Sequence, residues 1–384
     1  MNNQSKIGIF SFFSGAGFLD LGFEDTEPFE VVFVNEVHKP FMDIYKHSRA
    51  VMKKSSPVYG HHENDICDFL SGEKGKEMSA WTSAAKSNYE LVVYICGPPC
   101  PDFSVAGKNK GAAGENGVLS QSYIDLIVKE NPDFFLFENV KGLYRTKKHR
   151  EFFEKIKRKL KRNGYILTER LINSIEYGVA QDRERIILIG FKSSVFTSVK
   201  SSTSRAKAVE DFNWVPNKND RLDIFSKNWP KQDIFEEGST RLCPNDIPKE
   251  LTVEYWFKLN DTDNHPNAKH HFTPRAALPR FQTIPEGDDL KKSFKRLHRW
   301  RYSPTAAYGN NEVHLHPYKA RRLSAAEALA IQSLPKVFEL PATTTLTNMF
   351  KTIGNGVPYL AAKSLAESTS ELLIKVRKQY AEVA

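Results

Sequence analysis

The stretch IFSFFSGAGFLDLGFE, residues 9–24, reads as a strand that runs into a glycine turn and then a helix. Glycines in such a turn let a ligand approach the backbone closely at the carboxyl end of the strand. A second apolar run starts at Val31 and ends at Asn35 and Glu36, which places the Glu36 carboxylate 19 residues after Gly17. That is close to the ~20-residue offset at which an acid takes a ribose hydroxyl. Together the two features indicate a nucleoside-containing cofactor; a tight turn followed by a solvated Glu is the plainer alternative.

The same texture continues outward. Lys6 to Phe13, Val31 to Asn35, Leu91 to Cys96, Phe134 to Phe137 and Ile186 to Gly190 are short apolar runs separated by helix-like segments. This alternation predicts an α/β fold with a largely parallel sheet. From about residue 191 to 320 the sequence turns polar, rich in Ser, Asn and Pro, with scattered aromatics and no clear period, and predicts a separate loop-rich domain. Helical pattern returns at Ser324 to Ser333, where Ser324 and Glu327 form a capping-box signature. A last helix is expected from about Tyr359 to Tyr380, with Leu360, Ala361, Leu365, Leu372 and Val376 as its buried positions.

The chain has 384 residues, 40% hydrophobic and 26% charged, which fits two ordinary globular domains at roughly 100–200 residues each. No apolar run approaches the ~18 residues of a membrane span, and the N-terminus lacks an export signal, so an intracellular, cytoplasmic protein is expected. The four cysteines, Cys67, Cys96, Cys100 and Cys243, form no CxxC or Cys/His ladder, which argues against structural zinc or a disulfide framework; no metal is expected. A formal net charge of +9 permits a polyanionic partner. Between Arg145 and Arg162 ten basic residues face two acidic ones, but Phe152, Ile156 and Leu160 recur at helical spacing, so the charges read as the wet face of an amphipathic helix. Between Lys269 and Arg301 nine Lys or Arg interleave with Phe272, Phe281, Phe294 and Trp300, a mixture better suited to a nucleic-acid surface.

Three strand ends carry reactive groups. Leu91 to Cys96 leads into Gly97-Pro98-Pro99-Cys100, so Cys100 is presented at the sheet's carboxyl edge on a stiff turn, while Cys96 sits within the apolar run as a core residue. The Gly-, Lys- and Asn-rich segment from Val105 to Ser120 has the makings of a loop that closes over a substrate. Glu138, at the end of the Phe134 run, is an acid on an apolar wall and a candidate for a raised pKa. Arg183 and Arg185 alternate with Asp182 and Glu184 and share a side of the following strand; edge-strand salt bridges are the alternative.

On these residues the chain resembles the cytosine-C5 DNA methyltransferase family, over nearly its whole length outside the variable middle. Phe13, Ser14, Gly15, Ala16 and Gly17 look like the loop that binds S-adenosyl-L-methionine (AdoMet), Glu36 the ribose ligand, and Asp65 with Ile66 the adenine contacts. Pro98-Pro99-Cys100 is similar to the nucleophile motif, Glu138-Asn139-Val140 to the ENV motif and Gln181 to Arg185 to the QxRxR motif. The segment from Arg322 to Pro335 resembles the block after the target-recognition domain, and Ile353 to Pro358 the final GN-V motif. This chain carries Phe18, Pro101, Ala180 and Asn116 where the family commonly has Gly, Gln, Pro and Arg. Phe18 and Ala180 bear on packing, whereas Pro101 and Asn116 lie in the catalytic loop.

The resemblance implies a Rossmann-like AdoMet-dependent methyltransferase domain, residues 1–190 plus 321–384, with the final helix beside the first strand, and an inserted target-recognition domain at 191–320. It implies Cys100, Glu138, Asn139, Arg183 and Arg185 as the catalytic set. The cofactor contacts are the loop residues with Glu36, Val37, Asp65, Ile66, Pro99, Leu119, Asn355 and Val357. Ser104, Lys108, Lys110, Arg275, Arg280, Arg299 and Arg301 are the expected DNA contacts. The implied activity is methyl transfer to C5 of a flipped cytosine in duplex DNA through a Cys100–C6 adduct, as in restriction–modification systems, with a cognate endonuclease as partner and the enzyme a monomer. An RNA cytosine-C5 methyltransferase would keep every catalytic block, but the RNA branch's own Cys-containing insert motif is not found. A non-catalytic DNA-binding paralogue is disfavoured by the intact Cys100, Glu138 and Arg185. A nucleotide-dependent oxidoreductase explains nothing after residue 90.

Overall fold

The apolar runs assemble into one seven-stranded sheet: β1 (Ile7–Phe12), β2 (Phe29–Asn35), β3 (His61–His62), β4 (Leu91–Cys96), β5 (Phe134–Val140), β6 (Tyr165–Asn173) and β7 (Glu184–Lys192), in the order β3-β2-β1-β4-β5-β7-β6. The computed structural model describes residues 5–99, 115–196, 201–215, 219–290, 293–308 and 312–381, with the helix ends 115–116 and 377–381 as backbone only. The first five strands pair in parallel, and β7 runs antiparallel to both β5 and β6. That reversal decides the site. It brings the start of β7 to the same sheet edge as the end of β5, with Arg185 paired to Val140.

Period-two alternation sorts the strand side chains into two cores. Ile7, Ile9, Ile95 and Leu136 face one, Phe10, Phe12, Tyr94 and Phe137 the other. The helices are α1 (Phe18–Glu24), α2 (Lys39–Val51), α3 (Gly72–Asn88), α4 (Glu115–Glu130), α5 (Lys141–Arg145), α6 (Lys147–Arg162), α7 (Ser202–Glu210), α8 (Arg221–Ser226), α9 (Val253–Leu259), α10 (Leu278–Phe281), α11 (Ala325–Ile331), α12 (Leu346–Asn355) and α13 (Tyr359–Ala381). The final helix α13 packs on α1 and sends Ala361, Leu365, Leu372 and Val376 into the core shared with β1. Leu360, expected inside, is only partly buried. The amphipathic helix predicted in the first basic stretch is α6, but its inner face is His149, Phe153, Ile156 and Leu160, with Phe152 half-exposed. Ser324 caps α11, accepting the Glu327 N–H at 3.2 Å, while the Glu327 carboxylate accepts the Ser324 N–H at 2.7 Å.

Two strands escape the apolar pattern. β3 is two residues long, and β6 is an edge strand whose residues 166–171 are all only partly buried, Thr168, Glu169 and Arg170 among them. Among the described residues, no strand between 193 and 320 joins the sheet. The apolar side chains of that region divide three ways. Val209 and Phe212 enter the sheet's core. Val253, Trp256, Phe257 and Leu297 join α1, α11 and α12 in a third core. Ile224, Trp229, Ile247, Leu251 and Trp300 form a small fourth one around Ile175. No helix among the described residues is long and apolar enough to cross a membrane.

Candidate active site

The glycine turn after β1 is held open by backbone geometry and by a buried support beneath it. Phe13, Gly15 and Gly17 all take positive φ, +52°, +56° and +75°. Gly17 is sterically required as well, because a Cβ there would stand 2.4 Å from the Tyr45 ring. Arg49 of α2, buried under the turn, donates to the carbonyls of Ala16 (3.2 Å) and Gly17 (2.7 Å) and pairs with Glu24 at 3.0 Å. Asp20 accepts from Ser11 Oγ at 2.8 Å and Tyr45 Oη at 3.0 Å, and burial pushes its carboxyl up to about 6. The turn's own N–H groups are largely used to hold its shape: Ser14 N–H donates to the Asn35 carbonyl at 3.1 Å and Gly17 N–H to the Ser14 carbonyl at 2.8 Å. Sequence reasoning missed Arg49 and Tyr45; their only signal is a spacing of four on one helix face.

Glu36, at the end of β2, meets this turn. Its Oε2 accepts the Gly15 N–H and its Oε1 the His38 N–H, both at 2.9 Å. Burial raises the carboxyl's pKa, against the pull of those N–H groups and of Lys351. Ser14 Oγ, His38 Nδ1 and Thr352 Oγ1 are buried here without a hydrogen-bond partner among the described residues, and Thr352 Oγ1 lies 3.9 Å from where a Cβ on Gly15 would be. Unpaired buried polar atoms are costly, and three around one carboxylate-bearing turn form a cradle that fits a polar, nucleoside-bearing ligand. Val37, 57% exposed, offers an apolar surface beside it. Ile66 is buried and Asp65 exposed, capping a short 3-10 turn through the Cys67 N–H at 2.8 Å. Leu119 is half-buried, Asn355 exposed and Val357 buried.

The second part of the site lies where β4, β5 and β7 end together. Arg185 Nε holds Glu138 Oε1 at 2.9 Å. The other oxygen, Oε2, lies 3.0 Å from where a Cβ on Gly97 would stand, so the carboxylate leans over the start of the Gly97-Pro98-Pro99 turn. Burial raises Glu138's pKa, and Arg185 and Arg183 pull it back. Asn139 is fully buried; its Oδ1 accepts the Val140 N–H at 3.0 Å, and its Nδ2 has no partner among the described residues. An acid with a raised pKa, a cation fixing its orientation and a free amide donor can bind and protonate a polar heterocycle. Cys100, Pro101, Ser104, Lys108 and Lys110 lie outside the described residues, as does the Asn116 side chain. Among the described residues no group of His, Cys, Asp or Glu could hold a metal ion.

Arg183 corrects one expectation. It is fully buried and donates to the carbonyls of Ala306 (3.2 Å), Gly354 (2.9 Å) and Gly356 (3.0 Å). It acts on Glu138 through its field and positions the segment that carries Asn355 and Val357. Gln181 does similar work, accepting the Ala306 N–H at 3.1 Å and donating to Gln332 at 3.1 Å. Arg183→Met is expected to lower unfolding free energy by about 2–4 kcal/mol, because buried carbonyls lose a charged donor. A denaturant titration reads this; unchanged stability with activity lost would return Arg183 to the reacting centre. The Phe18 departure is also explained. Its ring lies against Gly356, where a Cβ would be 2.2 Å away, and meets Phe338 edge-on at 5.2 Å.

The expected DNA contacts divide sharply. Arg275 and Arg280 are exposed, Arg280 over the Phe294 ring at 4.8 Å. Arg299 is 3% exposed and bound to Glu286 at 2.8 Å, while Arg301 is bound to Asp289 at 2.8 Å and to the carbonyls of Pro230, Lys231 and Gly287. Arg296 is fully buried, donating to backbone carbonyls of Phe281, Ile284 and His316. These three arginines hold the loops of the middle region together, so Arg299 and Arg301 are corrected from DNA contacts to internal braces.

A family model described as C-5 cytosine-specific DNA methylase matches residues 7–371. The chain is 59% identical to the Type II methyltransferase M.NmeDI of Neisseria meningitidis serogroup C over 96% of its length and 85% of that protein's. It is 30% identical to M.MthTI of Methanothermobacter thermautotrophicus, over 94% and 96% of the two chains. Among solved structures, a prophage-encoded E. coli protein assigned as a DNA modification methyltransferase superposes with a TM-score of 0.64 at 20% identity, covering 96% of this chain and all of that one. The S. pombe Dnmt2 methyltransferase superposes at 0.58 and 14%, covering 97% and 99%.

Proposed function

This chain belongs to the C-5 cytosine-specific DNA methylases, and from that membership we propose that it methylates one cytosine of a specific duplex sequence by covalent catalysis through Cys100, with AdoMet as donor. The observation that carries the reading is the Glu138 carboxyl, buried, tied to Arg185 at 2.9 Å and leaning over the strand end that leads to Cys100. Cytosine C5 is a weak nucleophile. Addition of the Cys100 thiolate to C6 makes C5 an enamine carbon, Glu138 donates to N3 as charge develops, and Arg185 and Asn139 hold the base and its carbonyl. Bound AdoMet supplies an electrophilic methyl group. Loss of the C5 proton then expels Cys100. These atoms are unreachable in a stacked duplex, so the cytosine is flipped into the site.

The cofactor fits the cradle at the glycine turn: the loop from Phe13 to Gly17 receives its amino-acid end, Glu36 the ribose hydroxyls, and Val37, Asp65, Ile66, Pro99, Leu119, Asn355 and Val357 the remainder. Residues 1–190 with 321–384 carry the chemistry and residues 191–320 read the sequence, with Arg275 and Arg280 still available to phosphates. The Type II name of the Neisseria relative supports a place beside a restriction endonuclease acting on the same site. Methylation-sensitive sequencing of DNA from cells expressing the protein tests the activity and reports the site; absence of any 5-methylcytosine would reject it. Glu36→Ala is expected to weaken AdoMet binding by about 1.5–3 kcal/mol, the worth of hydrogen bonds to a charged acceptor. Calorimetry showing an unchanged Kd would remove Glu36 from the ribose site.

A further inference from the structure

The catalytic edge carries a cation cluster that the chemistry above does not use. Glu184, one residue before Arg185, has a side chain only 7% exposed, yet it serves three cations from two parts of the chain. Its Oε2 takes Lys141 at 2.9 Å; its Oε1 takes Arg145 and Arg221, each at 2.9 Å. Lys141 and Arg145 belong to α5, which begins directly after the Glu138-Asn139-Val140 strand end, and Arg221 opens α8 in the middle region. Among the described residues no other carboxylate pairs with any of the three. The cations keep 47%, 56% and 32% of their side-chain surface exposed.

One carboxylate cannot neutralise three cations, so the cluster holds two surplus positive charges beside the pocket. Internal stability does not explain the surplus, because crowded like charges repel and exposed ion pairs contribute little. A polyanion does explain it: Arg presents a planar fork to phosphate oxygens and Lys a point charge, and contacts of this kind dominate duplex affinity. We propose that Lys141, Arg145 and Arg221, gathered by Glu184, form a phosphate clamp that grips the DNA backbone next to the target cytosine. Glu184 spaces the cations in the free enzyme, and a phosphodiester joins them when DNA binds. Because Arg221 comes from the middle region, the same clamp ties the sequence-reading part to the catalytic edge. The clamp rests on the reading of DNA as substrate.

Anisotropy of a labelled duplex of about two helical turns, titrated at several salt concentrations, tests it alongside methyl transfer. Lys141→Gln and Arg221→Gln are each expected to raise Kd about 3- to 10-fold and to reduce the slope of log K against log salt by about 0.9 for each phosphate no longer neutralised. Lys155→Gln on α6 is the control and leaves both unchanged. Glu184→Gln is expected to tighten duplex binding and steepen the slope, an effect of opposite sign to simple structural damage. The two single-cation variants, altered at partly exposed side chains, decide the matter even where Glu184→Gln fails to fold. Wild-type Kd and slope in both of them, matching Lys155→Gln, would overturn the clamp. If the wild-type protein bound duplex with the predicted salt dependence but left it unmethylated, the catalytic reading would fail while the clamp stood.

Discussion

Replacing Cys100 by serine is expected to lower methyl transfer at least about 10³-fold while leaving AdoMet and duplex binding in place. The reasoning is chemical. A thiol near its ordinary pKa supplies a usable fraction of thiolate at neutral pH, whereas a hydroxyl supplies almost none and is intrinsically a weaker nucleophile. Removing the nucleophile of a covalent mechanism leaves only binding and electrostatic contributions. Single-turnover assays with labelled AdoMet separate this from weakened binding. Full activity in the serine variant would mean that another group attacks C6, or that no adduct forms.

Glu138→Gln is expected to cost about 10²–10⁴-fold in kcat, the usual worth of a positioned proton donor, with little change in AdoMet affinity. The amide keeps the shape and a hydrogen bond but has no acidic proton for N3. The pH dependence follows from burial, which raises the Glu138 carboxyl's pKa against the pull of Arg185 and Arg183. The protonated form therefore survives to higher pH than in an exposed glutamate. Activity that needs this proton falls as pH rises through the raised value, and Arg185→Gln, which removes the main opposing charge, moves that fall to still higher pH. A pH–rate profile unchanged in Glu138→Gln apart from a small uniform drop would take Glu138 out of proton transfer.

The catalytic edge was legible because strand ends in an α/β sheet collect at one place. Once β1, β2, β4 and β5 are recognised as parallel apolar runs, Gly15, Glu36, Gly97 and Glu138 have to fall on a common edge. Arg185, at the start of its strand, reaches that edge only because β7 runs antiparallel, a reversal that no apolar run discloses. The α11 cap was legible too, being a purely local pattern. What stayed hidden depends on long-range packing. β6 is polar because it is an edge strand, so no apolar run marks it. Arg183, Arg296, Arg299 and Arg301 carry the same charge in sequence as a solvated arginine, and only the fold reveals that the first three are buried, and Arg301 partly so, against carbonyls and carboxylates. Counting basic residues between Lys269 and Arg301 therefore overstates the surface available to DNA. Phe18 looks like an isolated departure until its ring is seen filling the space that a Cβ on Gly356 would need. Glu184 reads as one member of an alternating charge pattern, and its three partners come from sequence positions 37 to 43 residues away.

The covalent role of Cys100 has the most direct test in a duplex carrying 5-fluorocytosine at the target position. If Cys100 adds to C6 and leaves only after the C5 proton is lost, fluorine at C5 blocks that loss, since it cannot depart as a cation, and methyl transfer strands the protein on its substrate. A denaturing gel of wild type, Cys100→Ser and Cys96→Ser, each incubated with labelled duplex with and without AdoMet, reads the outcome. The account predicts an AdoMet-dependent, denaturation-resistant band for wild type, none for Cys100→Ser, and a retained band for Cys96→Ser, whose side chain is buried within β4. A band that persists in Cys100→Ser, or that disappears in a well-folded Cys96→Ser, would contradict it.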